Sequence, residues 1–247
     1  MNNKTCLAAL AALALCGSAH AFRPFDGTDA GVADPGSLEL EIGAGRLHQG
    51  TSRIWAVPAA VATYGPFENT EIGIEGHLNR EQDDITSPYR TRLQDAAINM
   101  KHVLREGSLQ DKPGPSVAAE CSLLFPQSGG DGPGFGCTGI VSHKWDSVVG
   151  HVNLGLERTP EHTATRSLSL IAQAPEDWKL RPGAELRWER DNAGGWDHTA
   201  LAALVIPHGK DLAFDVGWRF GRSSDGTVRE IRVGLTWSLD LHGGHAE

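Results

Sequence analysis

Arg229-Glu230-Ile231-Arg232-Val233-Gly234-Leu235-Thr236-Trp237-Ser238-Leu239 is the stretch that decides the fold. Ile231, Val233, Leu235, Trp237 and Leu239 fall on one face, and Arg232, Gly234, Thr236 and Ser238 on the other. Strict period-two alternation marks a strand with one apolar and one polar face.

Upstream, the chain from Ser37 onward is a series of short alternating segments separated by turn residues. The pattern predicts strands near 37–47, 53–64, 70–78, 92–104, 116–125, 135–144, 148–157, 166–173, 180–190, 198–206, 212–220 and 229–239. Twelve is an even number, as single-chain bacterial barrels require. Glu71, Glu75 and His77 oppose Ile72, Ile74 and Leu78, and Asp95, Asn99 and Lys101 oppose Ala96, Ile98 and Met100. His151 and Asn153 oppose Val152 and Leu154; Glu185, Arg187 and Glu189 oppose Leu186 and Trp188; Asp215 and Arg219 oppose Phe214, Val216 and Trp218. In a membrane barrel the charged face lines the lumen and the apolar face meets lipid. In a soluble sandwich or small barrel the same alternation inverts. Alternation alone does not choose.

The tryptophans favour the membrane. With both termini in the periplasm, Trp145, Trp178 and Trp237 fall at periplasmic strand ends or turns. Trp55, Trp188, Trp196 and Trp218 fall near external ends, and none is expected in mid-strand. Two such rings suit a bilayer, whose interfaces hold amphipathic rings. After residue 21 no apolar run approaches the ~18 residues of a membrane helix, which says nothing against a barrel. The 40% hydrophobic content suits either class, and the formal charge of −9 comes without a basic sequence patch, so nucleic acid is not an expected partner.

Residues 1–21 read as an export signal, with Lys4, an apolar run from Leu7 to Leu15, and Ala19-His20-Ala21 as the cleavage site. A lipoprotein signal ending at Cys16 would need a small residue where Leu15 stands. Residues 22–36 form a polar leader rich in Gly, Asp and Pro, readable as a periplasmic tail or a short plug. The barrel is expected over 37–239 and a C-terminal tail over 240–247. Cys121 and Cys137 remain after export, in an oxidising compartment. They flank the Gly-rich stretch 126–134 almost symmetrically, so a hairpin register sets them opposite one another and predicts a disulfide.

Two resemblances follow from quoted residues. Arg232, Gly234, Trp237 and Leu239 so near the C-terminus resemble the assembly signal of bacterial outer-membrane barrels, with Leu239 where the usual final aromatic stands. Arg23-Pro24-Phe25, Asp29-Ala30-Gly31, Asp34-Pro35-Gly36, Leu38-Glu39-Leu40-Glu41 and the terminal Val233 to Trp237 resemble a family of outer-membrane transporters. That family is associated with the meta-cleavage pathway of phenol degradation. Thr28-Asp29 departs from the paired Asp that relatives often show. The resemblance implies a barrel of about twelve strands and a transport role, with no catalytic residues.

Residue chemistry adds little to this. Outer-membrane phospholipases use His-x-Ser on one strand face, and no His here has Ser two residues on; His151-x-Asn153 lacks a nucleophile. His242 and His245 with Glu247 make a weak metal set on a Gly-rich tail, so no metal or other cofactor is expected. Glu81, Asp83 and Asp84 lack calcium-loop spacing and read as a solvated cluster or a divalent bridge to lipopolysaccharide phosphates.

The sequence thus predicts an all-β, antiparallel transmembrane β-barrel of about twelve strands in the bacterial outer membrane, non-enzymatic. Its expected role is a passive channel or transporter for small solutes, a class that takes in hydrophobic and aromatic ones. The alternatives are a structural or adhesion barrel with a plugged lumen, then a soluble periplasmic β-protein. The expected solute path is Glu71, Glu75, Asp95, Asn99, Lys101, His151, Asn153, Glu185, Arg187, Glu189, Asp215 and Arg219. Expected partners are outer-membrane lipid and lipopolysaccharide, the barrel-assembly machinery through the last strand, and a small solute, with the protein itself a monomer.

Overall fold

A computed structural model describes residues 24–83, 86–126 and 132–241. The export signal 1–21 and the tail's His242, His245 and Glu247 lie outside the described residues. Twelve strands make a closed antiparallel barrel: β1 (Ser37–Gln49), β2 (Ser52–Phe67), β3 (Thr70–Gln82), β4 (Arg90–Arg105), β5 (Ser116–Leu124), β6 (Gly134–Lys144), β7 (Val149–Arg158), β8 (Ala164–Gln173), β9 (Arg181–Asp191), β10 (Trp196–His208), β11 (Leu212–Ser223) and β12 (Gly226–Asp240). Each strand pairs with its sequence neighbours. The ring closes where β1 meets β12, from Ser37 opposite Asp240 to Gln49 opposite Val228. Closure leaves no strand edge unpaired, as a bilayer requires of any sheet crossing it. A short 3-10 turn, Ser108–Gln110, interrupts the β4–β5 connection, where the sequence showed no helical pattern.

The orientation of the faces settles the choice that alternation left open. Leu154 is 61% exposed on the outside, while its neighbour Asn153 is 4% exposed on the inside. Ile74, Leu156, Ile231 and Val233 also point outward, and Lys101, Glu185, His151 and Asp215 are buried within. In water this would be an apolar patch far beyond the few hundred Å² that soluble monomers expose. In lipid it is the expected outer surface. The soluble reading is therefore overturned.

Differences from the sequence reading are local. β2 continues to Phe67 and β4 begins at Arg90, because the connecting turns are shorter than composition suggested. Trp218 is not near a strand end. It lies midway along β11, opposite Ala202 and Ile231, because β11 runs on to Ser223 before a tight turn. The alternation of β4 slips at Asp95, whose φ is +52°: His77 pairs with Gln94 while Glu75 pairs with Ala97. This bulge puts both Gln94 and Asp95 against the lumen. Cys121 and Cys137 face each other across β5 and β6, with their sulfurs 2.14 Å apart and their Cα atoms 4.1 Å apart.

Candidate functional site

The lumen is organised around the leader. Residues from Pro24 to Gly36 fold back into the barrel and run round its inner wall, in the half nearer the termini. At the start, Asp26 and Gly27 donate their backbone N–H groups to the Glu185 carboxylate, at 2.8 and 2.9 Å. Glu185 also accepts from Ser169 Oγ at 2.6 Å. Next, Thr28 N–H donates to Asn153 Oδ1 at 2.7 Å, and Asn153 Nδ2 returns a bond to Thr28 O at 2.8 Å. Ala30 N–H donates to Ser142 Oγ at 2.9 Å and Ala33 N–H to Glu71 Oε2 at 2.8 Å. Lys101 Nζ reaches Thr28 Oγ1 and Gly31 O, both at 3.1 Å, and pairs with Glu71 Oε1 at 2.8 Å. The path ends where Gly36 N–H meets Gly65 O at 2.7 Å.

An extended segment without a sheet partner must satisfy its peptide groups elsewhere. Here inward-facing side chains of β3, β4, β6, β7 and β9 do so, which is why the wall needs acceptors at those positions. Two glycines admit the segment closely: a Cβ on Gly65 would sit 2.3 Å from Asp34 O, and one on Gly183 2.5 Å from the Phe25 ring. Below the leader, Ala30 packs with Ala118, Ile140 and Leu109 of the 3-10 turn, a small apolar seal across the terminal half.

Asp26 is held by a cluster of arginines. Its carboxylate pairs with Arg219 and, at 2.9 Å, with Arg232; Arg187 stands at 4.0 Å. Arg232 also donates to Pro24 O at 2.9 Å. Glu230 and Glu189 complete the cluster from the wall. Burial disfavours the Asp26 charge, but Arg219, Arg232 and Arg187 outweigh it and hold this carboxyl well below the usual carboxylate range.

Above the leader is a cavity of about 860 Å³. It is floored by Phe25 to Ala33 and reaches the rim far from the termini at Gln49, Gly195, Trp196 and Ser224. Of the sequence-predicted path residues, Glu71, Glu75, Asp95, Asn99, Lys101, Arg187, Glu189 and Arg219 line it. Asn99 donates to Glu75 at 3.1 Å, and His77 meets Asp95 at 3.3 Å. His151, Asn153, Glu185 and Asp215 face inward but are not among its lining residues, since they lie at or below the level of the leader.

Sequence reasoning missed Asp26, although the leader's acidic character was visible. It missed too the apolar stripe that Leu47, Ile54, Ala56, Ala59, Val61 and Val228 present to the cavity on β1, β2 and β12. It also sought Ser two residues after His on one strand. The structure instead sets Ser142 opposite His151 across β6 and β7, with Oγ 2.8 Å from Nδ1. Both are buried under the leader, with Ser142 engaged by Ala30 and His151 Nε2 by Gln173 at 3.1 Å, which leaves no approach for a substrate. Among the described residues no group of three or more His, Cys, Asp or Glu is placed to hold a metal.

No protein-family model matches the chain, and no curated protein matches it in sequence. Solved structures do. An outer-membrane channel from Pseudomonas putida F1 superposes with a TM-score of 0.61 at 7% identity, over 87% of this chain and 98% of that one. The fold is that of a bacterial outer-membrane barrel. The NanC porin gives a TM-score of 0.59 at 9% identity, over 81% of this chain and 100% of the porin. The CymD monoaromatic hydrocarbon channel gives 0.52 at 8% identity, over 83% and 89%.

Proposed function

We propose that the protein is a monomeric passive channel of the outer membrane for small solutes, hydrophobic or aromatic ones among them, with the leader setting the narrowest point of the path. The observation that carries this reading is the cavity running from the far rim down to the leader. Its volume of about 860 Å³ exceeds the ~150 Å³ apolar cavity that accommodates benzene. The stripe from Leu47 to Val61 gives an apolar body a surface to slide along, and the facing carboxylates keep the remainder wet. The likeness to the phenol-pathway transporters, and the name of the CymD channel, point to the same solute class. On this reading residues 1–21 are the export signal, and β12 is what the barrel-assembly machinery engages.

A second reading has its own support. The leader's bonds to Glu185, Asn153, Ser142 and Glu71 make a firm plug, and a structural barrel would need nothing more. Planar-bilayer recording separates the two. A channel gives discrete conductance steps and liposomes that take up phenol-sized solutes faster than empty ones. A silent bilayer together with uptake at the rate of empty liposomes overturns the channel reading.

A further inference from the structure

On the outer face of the barrel, near the rim far from the termini, three basic side chains stand side by side on adjoining strands. Arg53 of β2 is paired in register with His48 of β1, and His48 with Arg229 of β12. All three point away from the lumen, since Leu47, Gln49, Ile54 and Val228 beside them line the cavity. Further toward the rim is Arg222, paired with His198 and Thr227 on the same face. Just below, Arg46 lies over the Trp55 ring at 4.6 Å and Arg80 over the Tyr89 ring at 4.5 Å.

Arg53 and Arg229 flank His48 on its two sides, and like charges gathered on one face of neighbouring strands destabilise a sheet. Inside the lumen, Arg187, Arg219 and Arg232 are each neutralised by carboxylates. Among the described residues Arg53, Arg222 and Arg229 have no ion pair with a carboxylate. Two described acids at the same rim are engaged elsewhere: Asp225 accepts from the inward Gln49 at 3.3 Å, and Asp83 faces Arg90 at 4.0 Å. A row of cations left open above an aromatic girdle, at the depth where lipid headgroups begin, lacks an anion. Guanidinium forks suit phosphate oxygens in particular.

We propose that Arg53, His48 and Arg229, with Arg222 above them, form a binding site for the phosphates of lipopolysaccharide. The lipid's acyl chains would lie along the outward Ile231, Val233 and Trp218, while its phosphorylated headgroup meets the basic row. The site also orients the barrel. Lipopolysaccharide occupies the outer leaflet, so the far rim and its cavity face outside and both termini face the periplasm.

The test is lipid binding to the folded, detergent-solubilised protein, followed by native mass spectrometry. Bis-phosphorylated lipid A, dephosphorylated lipid A and inorganic phosphate are the probes. Wild type should retain the phosphorylated lipid A in preference to the dephosphorylated form, and inorganic phosphate should not displace it. An arginine at an anionic lipid surface is worth on the order of fivefold, so Arg53→Gln with Arg229→Gln should weaken retention about 25-fold. Unchanged heat-modifiable gel mobility of the variant shows that it is folded. Should the variant not fold, wild-type retention of phosphorylated lipid A must still fall steeply with added salt. Equal retention of the two lipid A forms, displacement by millimolar inorganic phosphate, or a folded variant that binds as wild type does would each overturn the proposal.

Discussion

Asp26→Asn tests whether the leader is latched by charge. The substitution keeps the shape of the side chain and the backbone bonds of residues 26 and 27 to Glu185. It removes the one carboxylate that Arg219 and Arg232 share with nearby Arg187. Breaking a buried ion pair by deleting one partner costs about 3–5 kcal/mol, because the other charge is stranded. Asp26 retains 21% side-chain exposure, and Arg219 and Arg232 retain 14% and 15%, with Glu230 still in reach of both, so the lower end applies. About 3 kcal/mol corresponds to a shift of somewhat over a hundredfold in leader docking. Hydrogen exchange reads this directly, since the amides of Gly27, Thr28, Ala30 and Ala33 are protected only by wall side chains. In the variant they should exchange roughly a hundredfold faster, while amides within β7 and β9 keep their wild-type rates. Under planar-bilayer recording, the same variant should show larger or more frequent openings. Leader amides that exchange as in wild type would refute the latch. Fast leader exchange with unaltered conductance would show that the leader does not set the narrowest point.

Other expectations follow from the same geometry. Leu154→Arg puts a charge on the lipid face and should cost ~2–4 kcal/mol near mid-bilayer, whereas Asn153→Arg should assemble and only loosen Thr28; heat-modifiable gel mobility distinguishes them. Mature, unreduced, denatured protein should show no free thiol on labelling, since Cys121 and Cys137 are its only cysteines and a closed loop of this size contributes ~3 kcal/mol. Reversal potentials across a salt gradient should show a modest cation preference that falls in Glu71→Gln/Glu75→Gln; anion preference in wild type would show that these carboxylates do not govern the path. Because the Asp26 carboxyl is depressed in the docked state, its contribution is fully present above the ordinary carboxylate pKa near ~4. It is lost only as pH falls below that value toward the docked one, so leader exchange corrected for intrinsic rates should stay level from pH 8 to about 5.

The barrel was legible in the sequence because its governing signal is local. A one-residue slip would turn every side chain of a strand to the wrong face, so each strand carries its own face assignment in its alternation. Ile231 to Leu239, and Val152 beside Asn153, could thus be placed without any neighbour in view. The lumen was legible only by face, not by level. Alternation put His151, Glu185 and Arg219 inward alike, but it held no information on depth, so residues beneath the leader and residues above it looked the same. The leader was illegible for a related reason: its conformation has no period. Its peptide groups are satisfied by Glu185, Asn153, Ser142 and Glu71, each more than thirty residues away in sequence, and none of these contacts leaves a repeating mark on residues 26–33. One trace was available. An inward Asn153 and Glu185 facing a water-filled lumen would need no fixed partner, yet each has a glycine two residues away on the same face of its strand, Gly155 and Gly183. Small residues beside strong acceptors leave room for a second chain at that level, and the stretch rich in Gly, Asp and Pro that precedes Ser37 was a segment not committed to the wall.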